Sequence, residues 1–357
     1  MSLHAFAPRI QLPLVLKQEP PHPSATPTVT TAPTPTPTPT PTGLHNGGDI
    51  TAISFSPAYA SDATLFVGSW SGLFMSTNRG VSWRKIDTVV SRDLAVSPAY
   101  ADDHTLFQAS GMFVYKTTDF ASWTGTGAWA PYAVHALAIS PLFATDQTVF
   151  AGTWSGVFRS TTQGSSWQKS AASPTKVRFL ALTAAYPSEL TMFAGTDSQG
   201  IFKSSDGGAT FSAANDGLAD LSIRALVVSP NYAADHTLYA ATFSHGVFRS
   251  SNGGGSWNAV NRGFSSLVMG ALAISPSFAT DHTVFAGTAS AGVYKSTNSG
   301  DDWIPSRSGL ANLDVGAMGV SPNYHADRTV LAGTAAGVFK STDAGATWII
   351  TGVPVSN

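Results

Sequence analysis

The chain has no cysteine among its 357 residues, which excludes disulfides, thiol catalysis, cysteine-ligated zinc and a lipid-modified N-terminal cysteine. Charge is nearly as scarce. Asp, Glu, Lys and Arg make up 11% of the chain and the formal net charge is −2, so nothing draws the molecule to nucleic acid, and charge-led recognition must come from a local patch. No run of eighteen apolar residues occurs, so no transmembrane segment is expected. The short apolar stretch Ile10 to Leu16 is interrupted by Pro13, lacks a basic segment ahead of it and has no small-residue cleavage site, so it is not expected to act as a secretory signal. Helical periodicity is missing throughout. No ligand spacing suggests a metal, and no cofactor motif is present.

What remains is apolar and small. Hydrophobic residues reach 43% and glycine numbers 33, a composition of β-structure joined by uncharged loops. Three regions follow. Residues 1–17 are an apolar segment with no assigned role, residues 18–44 a Pro/Thr-rich linker, and residues 45–357 a repeat domain. The Pro-Thr alternation from Pro33 to Thr42 favours polyproline II, which at roughly 3.1 Å per residue makes a semi-rigid spacer of at most about 80 Å. Such spacers resemble the stalks that hold domains away from a cell surface, so an extracellular or cell-surface location is expected.

In the repeat domain one aromatic recurs at Trp83, Trp123, Trp167, Phe211, Trp257, Trp303 and Trp348, every 40 to 46 residues. A period near 45 with four short apolar runs per copy is what a four-stranded propeller blade requires, and seven copies fit. The expected fold is all-β, a seven-bladed β-propeller of antiparallel blades. In the fifth copy the expected strands are Ile223 to Ser229, Thr237 to Thr242, Gly246 to Ser250 and Ser256 to Val260. Both ends of the domain align with whole copies, so no strand exchange is expected at the seam unless Ile10 to Leu16 supplies one.

Two motifs repeat. Before each closing aromatic lies Ser-x-Asp-x-Gly-x-x-Trp or a variant, with Asn78, Asp206, Asn252, Asn298 or Asp343 at the acidic position. Asp or Asn accepts backbone N–H bonds within such a turn, glycine supplies positive φ, and the aromatic buries area between blades. Carboxylates spaced round a ring cannot converge on one substrate, so their role is structural. Two copies depart: Thr162 replaces the acid in the third, and the second, Thr117 to Trp123, has lost the glycine and one residue. Those turns are expected to be the least regular. The other motif, Ser-Pro-x-Tyr/Phe-Ala-x-Asp-x-Thr, places Asp62, Asp103, Asp146, Asp235, Asp281 and Asp327 in turns, with His104, His236 and His282 exposed beside them. The fourth copy carries Glu189 without the motif.

The first motif resembles the Asp-box of the sialidase-like BNR repeat superfamily, over residues 49 to 354. It is similar also to photosystem II assembly-factor and sortilin-like propellers. Sialidases bind a substrate carboxylate with an arginine triad, and Arg92, Arg178 and Arg224 mimic it. The rest of that machinery is missing: only Glu19 and Glu189 exist, so no glutamate can activate a tyrosine nucleophile. Glucan-cleaving relatives use two aspartates across a cleft between two propellers. Asp49, Asp93, Asp197, Asp216, Asp220, Asp301, Asp302 and Asp314 lie outside the repeated turns, without an identifiable pair.

Both motifs fall on one face, so recognition is expected on the other, where loops vary. There the second-to-third-strand hairpins carry Trp70, Trp154 and Phe243, and the inter-blade loops add Trp129, Tyr132, Arg262 and Asp314. Exposed aromatics of this kind stack on sugar rings or anchor peptides. Aligned starts of the innermost strands read Thr51, Arg92, His135, Arg178, Arg224, Gly270 and Gly316. Four consecutive blades thus offer a basic group near one mouth of the channel, suited to a carboxylate, a sulfate or an acidic peptide, unless each arginine pairs locally, as Arg224 with Asp220. The expected function is non-catalytic binding of an unknown protein, peptide or glycan by a monomeric propeller, with glycoside hydrolysis as the alternative.

Overall fold

Short, strongly apolar runs separated by Gly, Pro and Asp turns fold here into sheets too small to bury both faces alone, so they stack. The computed structural model describes residues 50–128 and 132–352. Within them lie seven four-stranded antiparallel sheets, each made of strands consecutive in the chain. The first strands of neighbouring sheets contact one another round a ring, including the first with the last. This is a seven-bladed β-propeller. Residues 1–49 and 353–357, which include the N-terminal segment and the linker, lie outside the described residues, as does Trp129.

In blade 5 the strands are Ile223–Val228, Leu238–Thr242, Val247–Ser250 and Asn258–Ala259. The outer strand is shorter than expected, because only Phe248 and Arg249 find partners on it. Each second strand is buried along its whole length, sandwiched between blades. Close stacking needs small residues there: a Cβ on Gly333 would lie 2.5 Å from Ile50 of blade 1.

One element escaped the periodicity. In six blades the Ser-Pro motif forms a single helical turn, such as Tyr232–Asp235. The motif aspartate closes it: Asp235 accepts the Ser229 hydroxyl at 2.6 Å and the Thr237 N–H at 2.8 Å. His104, His236 and His282 follow these turns with positive φ and are exposed.

The Asp-box turns behave as expected, with one correction. Asp343 accepts the Thr347 hydroxyl at 2.6 Å and its N–H at 2.9 Å, which hold its carboxyl down to about 2. Asn78, Asn252 and Asn298 accept the equivalent N–H bonds at 2.9, 2.9 and 3.0 Å. The third turn is as regular as the rest, because the Thr162 hydroxyl accepts the Ser166 N–H at 3.0 Å in the missing carboxylate's place. In the shortened second turn Asp119 takes over, accepting the N–H groups of Ala121 and Ser122, both at 2.9 Å. Phe211, Trp257, Trp303 and Trp348 are buried, and Trp83 and Trp167 half-buried.

Blades are tied side to side by two repeated bonds. The indole N–H of Trp303 donates to Val260 O of the preceding blade at 2.8 Å, and Trp348 likewise to Ser306 O. A third-strand cation donates to the next blade's Asp-box carbonyl, as Lys203 to Gly253 O at 2.9 Å. The seam uses the same bonds, Trp83 to Thr351 O at 3.1 Å and Lys340 to Arg79 O at 2.7 Å. Among the described residues no strand crosses from one end of the ring into the other's sheet.

Candidate functional site

A repeated backbone irregularity positions the channel mouth. Ile50 pairs with Ser69 and Ala52 with Gly68, so Thr51 is squeezed out of register. The same bulge falls on His135, Arg178, Arg224, Gly270 and Gly316. In blade 2, Arg92 occupies the equivalent place, its N–H donating to Ala109 O just ahead of the ladder. Bulges re-aim side chains, and here they set six positions, with Arg92 as a seventh, at one rim; five of the seven bear side chains. Nineteen residues after each comes a hairpin tip: Trp70, Gly111, Trp154, Asp197, Phe243, Ala289 and Ala335.

The two sets meet in blades 1 to 5. The Arg92 guanidinium lies 5.0 Å from the Trp70 ring centroid, crossing to blade 1 because its own tip is Gly111. His135 stacks on Trp154 at 5.7 Å and 20°. Arg224 lies 4.6 Å from the centroid of Phe243, and its buried Nε has no hydrogen-bond partner among the described residues. Blades 6 and 7 offer only glycine and alanine. At Gly270 a Cβ would collide with Val315 O at 2.3 Å, whereas at Gly316 the nearest atom is 3.6 Å away. The result is a crescent rather than a ring. Trp70, Trp154 and Phe243 remain 47%, 37% and 49% exposed, available for contact. Tyr132 is exposed on the loop entering blade 3.

Three expectations change. His135 is not a cation at neutral pH: burial, with Arg92 and Arg178 beside it, pushes its pKa down to about 4. Arg224 does not pair closely with Asp220, whose oxygens accept the N–H groups of Ser222 at 2.9 Å and Ser244 at 2.8 Å. Its nearest acid is Asp197, 3.9 Å away, which Arg178 also contacts at 3.2 Å. Arg262 is spent on Asp302, 2.5 Å away beside the blade 6 Asp-box. Ser244, His245 and Asp220 have the composition of a nucleophilic triad but not its geometry, since the Ser244 hydroxyl faces both Asp220 Oδ2 and His245 Nδ1 at 2.9 Å.

The sequence places Asp93 among eight aspartates outside the repeated turns without distinguishing it from the others. Asp93 adjoins Arg92 and stands where Ala52, Ala136, Ala225, Ala271 and Ala317 occur in other blades, a signal that aligned first strands contain. Its oxygens accept the N–H groups of Leu94 at 2.9 Å and Leu137 at 2.8 Å. Solvent reaches part of the side chain, but protein packs closely about the carboxyl, and that burial raises its pKa to about 6 against the two N–H bonds. Among the described residues no group of three metal-ligating side chains is found, and no helix is long and apolar enough to cross a membrane.

No family model and no curated protein sequence matches the chain. Solved structures do match in fold. A GH74 enzyme from Niastella koreensis aligns over 86% of this chain and 54% of its own, at 19% identity and TM-score 0.67. The GH74 xyloglucanase from Xanthomonas campestris aligns over 87% and 55%, at 16% identity and TM-score 0.68. The extracellular domain of a two-component system from B. thetaiotaomicron aligns over 83% and 38%, at 14% identity and TM-score 0.64. The chain thus spans about half the length of the two enzymes.

Proposed function

We propose that the crescent of blades 1 to 5 engages a carbohydrate chain, with acidic sugars favoured by Arg92, Arg178 and Arg224. One observation carries this reading: seven equivalent bulge-and-tip positions are furnished with aromatic and basic side chains over five blades and left as glycine and alanine over two. Trp70, Trp154 and Phe243 present faces for pyranose rings, and the partly exposed Arg224 guanidinium offers N–H donors to a sugar oxygen. Asp197 is an acceptor for hydroxyl groups.

Hydrolysis is favoured over binding alone by the solved structures of similar fold, two of which are GH74 enzymes. It requires two carboxyl groups flanking the bond, one of them protonated to serve the leaving group. Asp93 has the raised pKa of such an acid, about 6, and would have to exchange one of its two backbone N–H bonds for the leaving group. Asp197, ion-paired to Arg178, is the partner carboxylate in this reading.

Reducing-end release from xyloglucan, mixed-linkage β-glucan and polygalacturonate, measured beside affinity electrophoresis in the same polymers, separates the readings. Release lost in both Asp93→Asn and Asp197→Asn establishes the hydrolase. Retarded migration without release establishes the binding module, and neither effect in any polymer removes the carbohydrate reading.

A further inference from the structure

The opposite face holds a cavity that carbohydrate engagement does not use. Where two blades meet beside the Asp-box, the chain at the seam fills the junction itself. Arg79 lays its guanidinium 6.0 Å from the Tyr59 ring centroid and donates to Ala60 O at 2.9 Å. Lys340 of blade 7 donates to Arg79 O at 2.7 Å. Burial and then Asp327 of blade 7 raise the Tyr59 hydroxyl to about 12, so that carboxylate sits close by.

The junction between blades 4 and 5 repeats these parts with one missing. Tyr232 and Ala233 stand for Tyr59 and Ala60, and Lys203 for Lys340, its Nζ 2.9 Å from Gly253 O. Gly253 stands where Arg79 does, so no guanidinium lies on Tyr232; the Tyr232 hydroxyl lies 2.7 Å from where a Cβ would be, and His236, where the seam has Ala63, packs against the Tyr232 ring at 5.5 Å. Glu189 replaces Asp327. In the regular blades the aspartate is consumed by turn closure, as Asp327 is by the Ser321 hydroxyl at 2.6 Å and the Thr329 N–H at 2.9 Å. In blade 4 Thr183 stands for that serine and donates to Thr191 O instead. Among the described residues the Glu189 carboxylate has no hydrogen bond, yet it adds to burial in raising Tyr232 to about 12. A cavity of about 380 Å³ results, lined by Glu189, Thr191, Lys203, Tyr232 and His236, within the size range of small-ligand sites.

We propose that this cavity binds an alkylguanidinium group, as a free small molecule or as the arginine side chain of a peptide. The cation stacks on Tyr232, faces Glu189 and donates to Ala233 O, as Arg79 does within the chain at the seam. Lys203 does not exclude it, since Lys340 and Arg79 share the equivalent space. The cavity of about 350 Å³ between blades 2 and 3 lacks these features: Phe143 replaces the tyrosine, and Asp103 is used by Ser97 and Thr105.

Calorimetric titration of the full chain with agmatine tests this. Saturable binding is expected, weakened about five- to tenfold in Glu189→Gln, the range of an exposed ion pair combined with a cation–π contact. Putrescine, which matches agmatine's two charges and chain length but not the planar fork, should bind less tightly. Gly253→Arg should abolish binding by supplying the guanidinium in place. Its backbone φ of 69° matches the 61° of Arg79, though Tyr232 must shift, since a Cβ there lies 2.7 Å from its hydroxyl; the Glu189→Gln comparison stands without that variant. Absence of saturable agmatine binding, equal binding by Glu189→Gln, or putrescine binding as tightly overturns the assignment. An arginine tripeptide binding more tightly than agmatine identifies the source as peptide, and the reverse as a free guanidine.

Discussion

At Asp93 a single side chain departs from its repeat at a cost to stability. Its pKa of about 6 in the folded chain lies above the ordinary 3.8, so between those values the folded state holds a proton that the unfolded state has released. The penalty therefore grows as pH rises from about 4 to about 6 and is complete above that. Asp93→Ala, which restores the residue of five other blades, should raise stability at pH 7.5 by about 1–3 kcal/mol and change little at pH 4. Urea denaturation at the two pH values checks it, and an unchanged or reduced midpoint at pH 7.5 contradicts it. A residue that costs stability beside Arg92 is what a working site would show. His135 has the opposite sign: its pKa of about 4 lies below 6.5, so its contribution favours folding above about pH 6.5 and is lost as pH falls towards 4. An NMR titration should find this imidazole neutral at pH 6. A midpoint above 6 would mean that it is a cation of the arc after all.

Blades were legible in the sequence because their turns are local. Ser-x-Asp-x-Gly-x-x-Trp names its own hydrogen bonds, and the spacing of Trp257, Trp303 and Trp348 counts the elements. The helical turns such as Tyr232–Asp235 were not legible, since four residues are too few for a helical period. The first-strand bulges escaped for a different reason. An extra residue in one strand leaves no mark in composition and is defined only against its partner, as Ile223 against Thr242 and Ala225 against Ala241. The basic arc could be aligned without knowing that a bulge turns it outward, but the sharing of Asp197 between Arg178 and Arg224 could not, because it joins two blades in space. At the hairpins, Trp154→Ala removes the surface on which His135 stacks. Binding of a cognate oligosaccharide should fall about tenfold with the melting temperature nearly unchanged, in keeping with about 1.4 kcal/mol for one aromatic contact. A large drop in melting temperature would instead make Trp154 part of the scaffold.

Across the whole molecule, a ring closed by side chains places special demand on its seam. Lys340→Met removes the bond to Arg79 O, and Lys295→Met removes the equivalent bond to Ala344 O between blades that the chain also joins covalently. The first should cost more, about 1–3 kcal/mol, in urea denaturation; equal losses would mean that the seam is no weaker than any other junction. In the proposed function the two faces divide the labour, the regular turns holding the ring and the irregular crescent of blades 1 to 5 meeting the ligand. The most direct test is calorimetric titration of the tightest-binding oligosaccharide from the polysaccharide panel into the native chain and into Arg178→Ala/Trp154→Ala. A loss of about a hundredfold in affinity with an unchanged melting temperature is predicted; undiminished binding by the double variant would place the carbohydrate site elsewhere and contradict the account.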